Sequence, residues 1–225
     1  MSTRNFTISR HLLGNLSIIS LTILLVYGVS RVILPAPATD ISTAAPQGKQ
    51  IAVFAGGCYW GMEAVFEHLK GVSDVVSGFS GGDARTADYA IVSAGLTNHA
   101  ESVKITYDPS QISYSQLLKV YFLVAHDPTQ LNRQGPDSGK QYRSAIFFAN
   151  NEQKQAAQEY IAQLNKSQVF DKPIVTELAS LKGFYQAAAY HQNYIARHPS
   201  DRYVVVNDLP KLAKLKAKFP DMYNK

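Results

Sequence analysis

Residues 50–71 run QIAVFAGGCYWGMEAVFEHLKG, and the order of residue types in this stretch decides the fold class. Residues 50–55 are a short apolar run closed by Gly56-Gly57, the length and punctuation of a β-strand. Past Cys58, the residues Met62, Val65, Phe66 and Leu69 recur at the i, i+3, i+4, i+7 spacing of one helix face, which predicts a helix over 59–70 with Gly71 as its stop. A strand that turns through two glycines into a helix sets Cys58 at or just before a helix N-terminus.

That position matters for a thiol. The first turn of a helix leaves backbone N–H groups unpaired, and these together with the helix dipole favour a thiolate, the nucleophilic form. Cys58 is the one cysteine and Trp60 the one tryptophan of the chain, and Tyr59 with Trp60 supplies an apolar wall beside the sulfur. On spacing alone, two readings stay open: a reactive cysteine, or a buried one packed among core aromatics. A single cysteine leaves no intrachain disulfide and no multi-thiolate metal site.

Outward from this centre, strands and helices alternate. Strands are predicted over 72–79, ahead of Gly81-Gly82, over 102–107, stopping at Asp108-Pro109, and over 142–149 and 173–181. Helices are predicted over 86–94, from Ser113 through Leu117, Leu118, Tyr121, Phe122 and Val124, and over 151–164. Residues 127–140 form a polar loop with Pro128, Gly135, Pro136 and Gly139. The aromatic, histidine-rich stretch 184–198 is predicted as helical, and 209–219 as a basic amphipathic tail. Interleaved elements with short connections indicate an α/β (α+β) two-layer sandwich built on a mixed sheet, and periodicity does not give the strand order.

The ends differ from the middle. Residues 11–30 hold no Lys, Arg, Asp or Glu, between Arg10 and Arg31, which suits a signal peptide or a membrane anchor. Ala36-Pro37-Ala38 offers a small-residue cleavage pattern. The flanking charges favour a domain outside the cytosol, either membrane-anchored or exported. The organisation expected is therefore a signal or anchor at 1–33, a linker rich in Ala, Pro, Thr and Ser at 34–49, a catalytic domain at 50–200 and a basic tail at 201–225. The net charge of +5 sits at the ends; residues 51–200 carry 12 basic and 13 acidic side chains. A folded body without a basic stripe excludes a nucleic-acid surface.

The stretch Gly56-Gly57-Cys58-Tyr59-Trp60-Gly61 resembles the Gly-Cys-Phe-Trp-Gly signature of the A-type peptide methionine sulfoxide reductases. Further matches follow in the family's order: Gly78-Phe79-Ser80-Gly81-Gly82, Asn98-His99-Ala100-Glu101, Tyr107-Asp108-Pro109, His126-Asp127-Pro128-Thr129-Gln130, Arg133-Gln134-Gly135-Pro136-Asp137, Gln141-Tyr142-Arg143-Ser144, Phe184-Tyr185 and Tyr190-His191-Gln192. One such motif is weak evidence, whereas the ordered set over 50–200 is specific. The resemblance implies a ferredoxin-like core and reduction of the S epimer of methionine sulfoxide, free or in protein. It makes Cys58 the nucleophile at the sulfoxide sulfur and Glu101 the acid that protonates the oxygen. Tyr89 and Tyr142 hydrogen-bond that oxygen, Asp137 orders the site and its water, and Tyr59 and Trp60 hold the substrate methyl group. Taken singly, Glu101 reads as an exposed acid before a strand, Tyr89 and Tyr142 as half-buried packing residues, and Asp137 as a turn residue.

The chemistry asks for these residue types. A sulfoxide oxygen leaves poorly until protonated, so a carboxyl must stay protonated near neutral pH, and burial raises it enough. The resemblance implies no metal, nucleotide or flavin, a monomer, and oxidised proteins or free methionine sulfoxide as partners. Tyr59 stands where the family usually has phenylalanine, and Phe79 where it usually has tyrosine. The chain also lacks the second cysteines with which many members resolve the oxidised nucleophile. A sulfenic acid on Cys58 then needs an external thiol, thioredoxin-like or glutaredoxin-like. Two rival readings are a papain-like peptidase, for which His191 and Asn193 lie too close together, and a membrane-tethered binding domain with an inert thiol.

Overall fold

The computed structural model describes residue 37 and residues 48–224. The expected signal or anchor and most of the expected linker lie outside the described residues. Among the described residues no helix is long and apolar enough to cross a membrane.

The strands are β1 (Gln50–Gly56), β2 (Val72–Ser80), β3 (Ala100–Tyr107), a small hairpin of β4 (Arg133–Gln134) and β5 (Asp137–Ser138), β6 (Ser144–Phe148), β7 (Glu177–Ser180) and β8 (Phe184–Gln186). The helices are α1 (Tyr59–Glu67), α2 (Tyr89–Ser93), α3 (Tyr114–Val120), α4 (Asn151–Lys166), α5 (Tyr194–Arg197) and α6 (Leu209–Lys218). Six strands form one sheet in the order β7-β6-β1-β3-β2-β8. Pairing is antiparallel throughout except for the parallel β6–β7 contact. The central order β6-β1-β3-β2, with α1 and α3 crossing over between strands, is the ferredoxin-like arrangement expected, inside a two-layer α/β domain.

Strand alternation places the core. In β1, Ala52 and Phe54 face the large helix-side cluster, while Val53 and Ala55 face a smaller cluster with Ala145 and Phe147 on the other side. The α1 face predicted from spacing is buried there: Met62, Val65 and Phe66 are all at 0% exposure. Ser113 starts α3 with a capping box, its hydroxyl accepting from Gln116 N–H while the Gln116 side chain accepts from Ser113 N–H. Helix α3 continues into a π-helical turn, Tyr121–Ala125.

Three segments differ from the sequence reading. Residues 184–198 are not one helix. Phe184–Gln186 pairs with β2 as an edge strand, and a 3-10 turn (Ala189–His191) and the four-residue α5 follow. Cross-strand pairing on a free edge outweighs local pattern there. The polar loop 127–140 contains the β4–β5 hairpin. Residues 201–225, expected as a tail, pack onto the body as far as Tyr223, which bridges to Leu69. The reason is an apolar stripe: Leu215 and Phe219 are buried, Leu212 packs beside them, and Lys214, Lys216 and Lys218 cover the other face.

Candidate active site

Cys58 is the residue that precedes α1, with φ −56° and ψ 125°, and it is 8% exposed. The turn before it requires glycine. Gly57 has φ +93°, and a Cβ there would come within 2.5 Å of Gln134 Cγ. Gly61, in the first turn of α1, is also spatially constrained. A Cβ on it would lie 2.2 Å from Asp208 Oδ1 and 2.6 Å from Lys211 Nζ.

Glu101 reaches the same helix end from β3. Along β3, Glu101, Val103 and Ile105 point to the helix side, so the carboxyl takes the place of the next apolar side chain in that row. Opposite it on β2 lies Phe79, whose ring packs 5.9 Å from that of Tyr59. Glu101 is 2% exposed, and its Oε2 accepts a hydrogen bond from Tyr59 N–H at 3.2 Å. That N–H belongs to the residue after Cys58, so thiol and carboxyl share one helix terminus. Burial, with Asp137 nearby, holds the Glu101 carboxyl up at about 8, against the pull of the Tyr59 N–H. It is a neutral acid at pH 7.

The thiol behaves differently from the sequence expectation. Burial pushes Cys58 well above the usual thiol value, and the carboxylates of Glu101 and Asp208 add to this. The Trp60 N–H and the Lys211 ammonium pull the other way. Helix geometry alone therefore does not ionise the resting thiol. Because Glu101 is protonated at neutral pH, its carboxyl does not oppose the thiolate under those conditions.

The phenols gather around this pair. Tyr89 opens α2, and the segment before it is fixed by His99, whose Nδ1 accepts from Gly82 N–H and whose Nε2 donates to the Asp83 carbonyl. Tyr142 ends a 3-10 turn after the hairpin. Burial raises both phenols, and negative charge on Glu101 and Cys58 raises them further, so the four groups lie within each other's field. Both are therefore protonated donors. Asp137, on β5, accepts a short hydrogen bond from Tyr203 Oη. Tyr59 is 1% exposed, and its hydroxyl, the departure from phenylalanine, has no hydrogen-bond partner among the described residues.

Trp60 stands in an aromatic box. It stacks on Tyr194 at 3.6 Å and 7°, and it meets Tyr203 edge-on at 6.0 Å. Its Nε1 donates to His191 Nδ1 at 3.3 Å, and His191 packs 4.3 Å from Tyr89. Such pairs hold the indole plane with roughly 0.5–1.5 kcal/mol each beyond simple burial. The bond to Trp60 occupies His191 Nδ1, and among the described residues no hydrogen bond joins His191 to Asn193, so the papain-like pairing is not formed.

All seven residues singled out in the sequence therefore meet at one end of α1. Sequence reasoning missed Tyr203, Asp208 and Lys211, because they lie in the supposed tail. The apolar spacing Leu209, Leu212, Leu215, Phe219 was the signal that this segment packs inward. A surface cavity of about 810 Å³ between the 127–135 loop, Phe170 and Lys214 is lined by none of the residues around Cys58.

The peptide methionine sulfoxide reductase family matches residues 50–223. The peptide methionine sulfoxide reductase MsrA 2 of Synechocystis sp. is 54% identical over 191 residues, covering 84% of this chain and 89% of that protein. MsrA 2 of Mesorhizobium japonicum is 57% identical over 181 residues, covering 80% and 92%. Among solved structures, Mxr1 from Saccharomyces cerevisiae in reduced form superposes with a TM-score of 0.63 at 30% identity, covering 72% of this chain and 94% of that one. Methionine sulfoxide reductase A of Corynebacterium diphtheriae gives 0.60 at 34% identity, covering 68% and 77%.

Proposed function

Because the chain belongs to the peptide methionine sulfoxide reductase family, and so reduces methionine sulfoxide, we propose that it does so on the S epimer by direct attack of Cys58, with Glu101 as the acid. The thiolate sulfur bonds to the sulfoxide sulfur, and the electron pair displaced onto oxygen takes the Glu101 proton. Tyr89 and Tyr142 donate to that oxygen as it gains charge, in the manner of an oxyanion hole. When the substrate sulfur departs as the thioether, the oxygen ends on Cys58 as a sulfenic acid. Methionine sulfoxide is reduced by two electrons and Cys58 oxidised by two. Asp137, oriented by Tyr203, orders the polar side of the cleft, and Tyr59 with Trp60 holds the methyl group. Such a wall contributes only ~1–3 kcal/mol per methyl, so epimer choice draws on the whole arrangement.

The observation that carries this reading is the buried Glu101 carboxyl, neutral at pH 7, bonded to the backbone next to Cys58. With no second cysteine in the chain, an external thiol of the thioredoxin or glutaredoxin class attacks the sulfenic sulfur and releases water. A second thiol then returns Cys58 and leaves the reductant as a disulfide. The charge-free run at 11–30 between arginines supports a membrane-anchored or exported site of action.

Single turnover without thiol tests the chemistry. The expected result is about one methionine per protein with one oxygen added at Cys58, no product from Cys58→Ser, and no product from the R epimer. Methionine formation by Cys58→Ser refutes the assignment.

A further inference from the structure

The Cys58 cleft is poor in positive charge. Glu101 faces the sulfur from β3 and Asp208 from the segment after α5. Tyr89, Tyr142 and Tyr203 are each pushed up in part by charge on Cys58, and so are Tyr59 on α1 and Tyr194 on α5. A thiolate in such surroundings needs a countercharge.

Lys211 is placed to supply it. Its Nζ lies 3.0 Å from Asp208 Oδ1, with the lysine side chain 18% and the aspartate 0% exposed. Both groups sit against Gly61, where any Cβ would strike them, one helical turn from Cys58. Asp208 Oδ2 is buried with no hydrogen-bond partner among the described residues. The Lys211 ammonium lowers Cys58, Asp137 and Asp208 alike, while Asp208 raises Cys58 by more, so at the sulfur the ammonium acts by offsetting its own ion-pair partner. The pairing has a physical logic: an ammonium alone is repelled by a helix N-terminus, whereas a carboxylate is favoured there and seats the ammonium beside it. The π-helical turn Val204–Asp208 and Pro210 at the start of α6 aim both side chains at α1.

We propose that Lys211 is a positioning residue of the reaction: seated on Gly61 by its ion pair with Asp208, its ammonium is the charge against which Cys58 ionises. This rests on Cys58 being the nucleophile. The test reads the thiol itself, without any sulfoxide, so its failure is distinct from failure of the proposed reaction.

With one cysteine in the chain, the rate of alkylation by iodoacetamide as a function of pH reports Cys58 alone. In the full chain, Lys211→Met is expected to slow alkylation at pH 7 about tenfold and to move the midpoint of the profile up by about one pH unit. Lys211→Arg is expected to restore it to within about threefold. Because Lys211→Met leaves a carboxylate buried without its partner, a second comparison uses Asp208→Asn against Asp208→Asn with Lys211→Met. These two differ only in the ammonium, and the form that keeps it must ionise at lower pH. In turnover, Lys211→Met lowers kcat with KM nearly unchanged. Equal midpoints in the second comparison, or an unmoved profile in folded Lys211→Met, overturn the proposal.

Discussion

Replacing Glu101 by Gln separates a neutral acid from an ionised one through stability rather than turnover. In the folded protein the Glu101 carboxyl is held at about 8 by burial, from an ordinary value of 4.5. A raised carboxyl contributes stability that is complete below the unfolded value and is lost as pH rises through the folded one. At pH 7, about 2.5 units above the ordinary carboxyl value, keeping this proton costs about 3 kcal/mol at ~1.4 kcal/mol per unit. Glutamine has the same shape, still accepts from Tyr59 N–H and does not titrate. Its surplus amide hydrogens cost a fixed amount, of order 1–3 kcal/mol, at every pH. The stability of Glu101→Gln relative to the parent protein is therefore expected to climb by about 3–4 kcal/mol between pH 5 and pH 8. Urea unfolding followed by circular dichroism at several pH values measures it. Glu63, also raised by burial to about 7, is present in both proteins and cancels in the difference. The kcat of the variant falls roughly 10²–10⁴-fold, as for loss of a general acid. Parallel stability curves across this range refute the reasoning, because the carboxyl is then ionised at neutral pH and holds no proton to give.

Other perturbations test the supporting structure. Gly57→Ala meets a positive φ and the Gln134 side chain together, and it is expected to cost about 2–3 kcal/mol in urea unfolding; a cost below ~0.5 kcal/mol contradicts the geometry. Tyr203→Phe removes the hydroxyl that donates to Asp137, so kcat/KM should drop about tenfold, in line with one hydrogen bond to a charged group, and unchanged kinetics remove Tyr203 from the site. Ser113→Ala breaks the capping box of α3 far from Cys58 in sequence; about 1 kcal/mol of stability should go, with kcat unaltered at temperatures where the variant stays folded.

How much of this was legible depends on how local each determinant is. The passage from β1 through Gly56-Gly57-Cys58 to α1 is written in adjacent residues, and the turn conformation of Gly57 and the buried stripe of α1 follow from them. The strand order is not so written, since β3 slots between β1 and β2 through contacts distant in sequence, and β8 becomes a strand only because the edge of β2 is there to pair with. The site divides the same way. Cys58, Tyr59 and Trp60 are local, whereas Glu101 is identifiable from its own surroundings only once β3 alternation is known to turn it inward. Tyr203, Asp208 and Lys211 were hidden by charge: four lysines between positions 211 and 218 look like a solvated tail until the leucines between them are counted as a stripe. The sign of the effect on Cys58 was hidden for a quantitative reason. A helix terminus contributes roughly 0.3–1 kcal/mol, less than one unit of pKa, while burial of an ionisable group shifts it by as much as 3–5 units. The helix terminus, visible in sequence, is thus the weaker influence on the thiol. Burial is the stronger one, and it is set by how deep the whole fold places the sulfur. The Lys211 ammonium, brought in from far along the chain, pulls the other way, but less strongly than burial pushes.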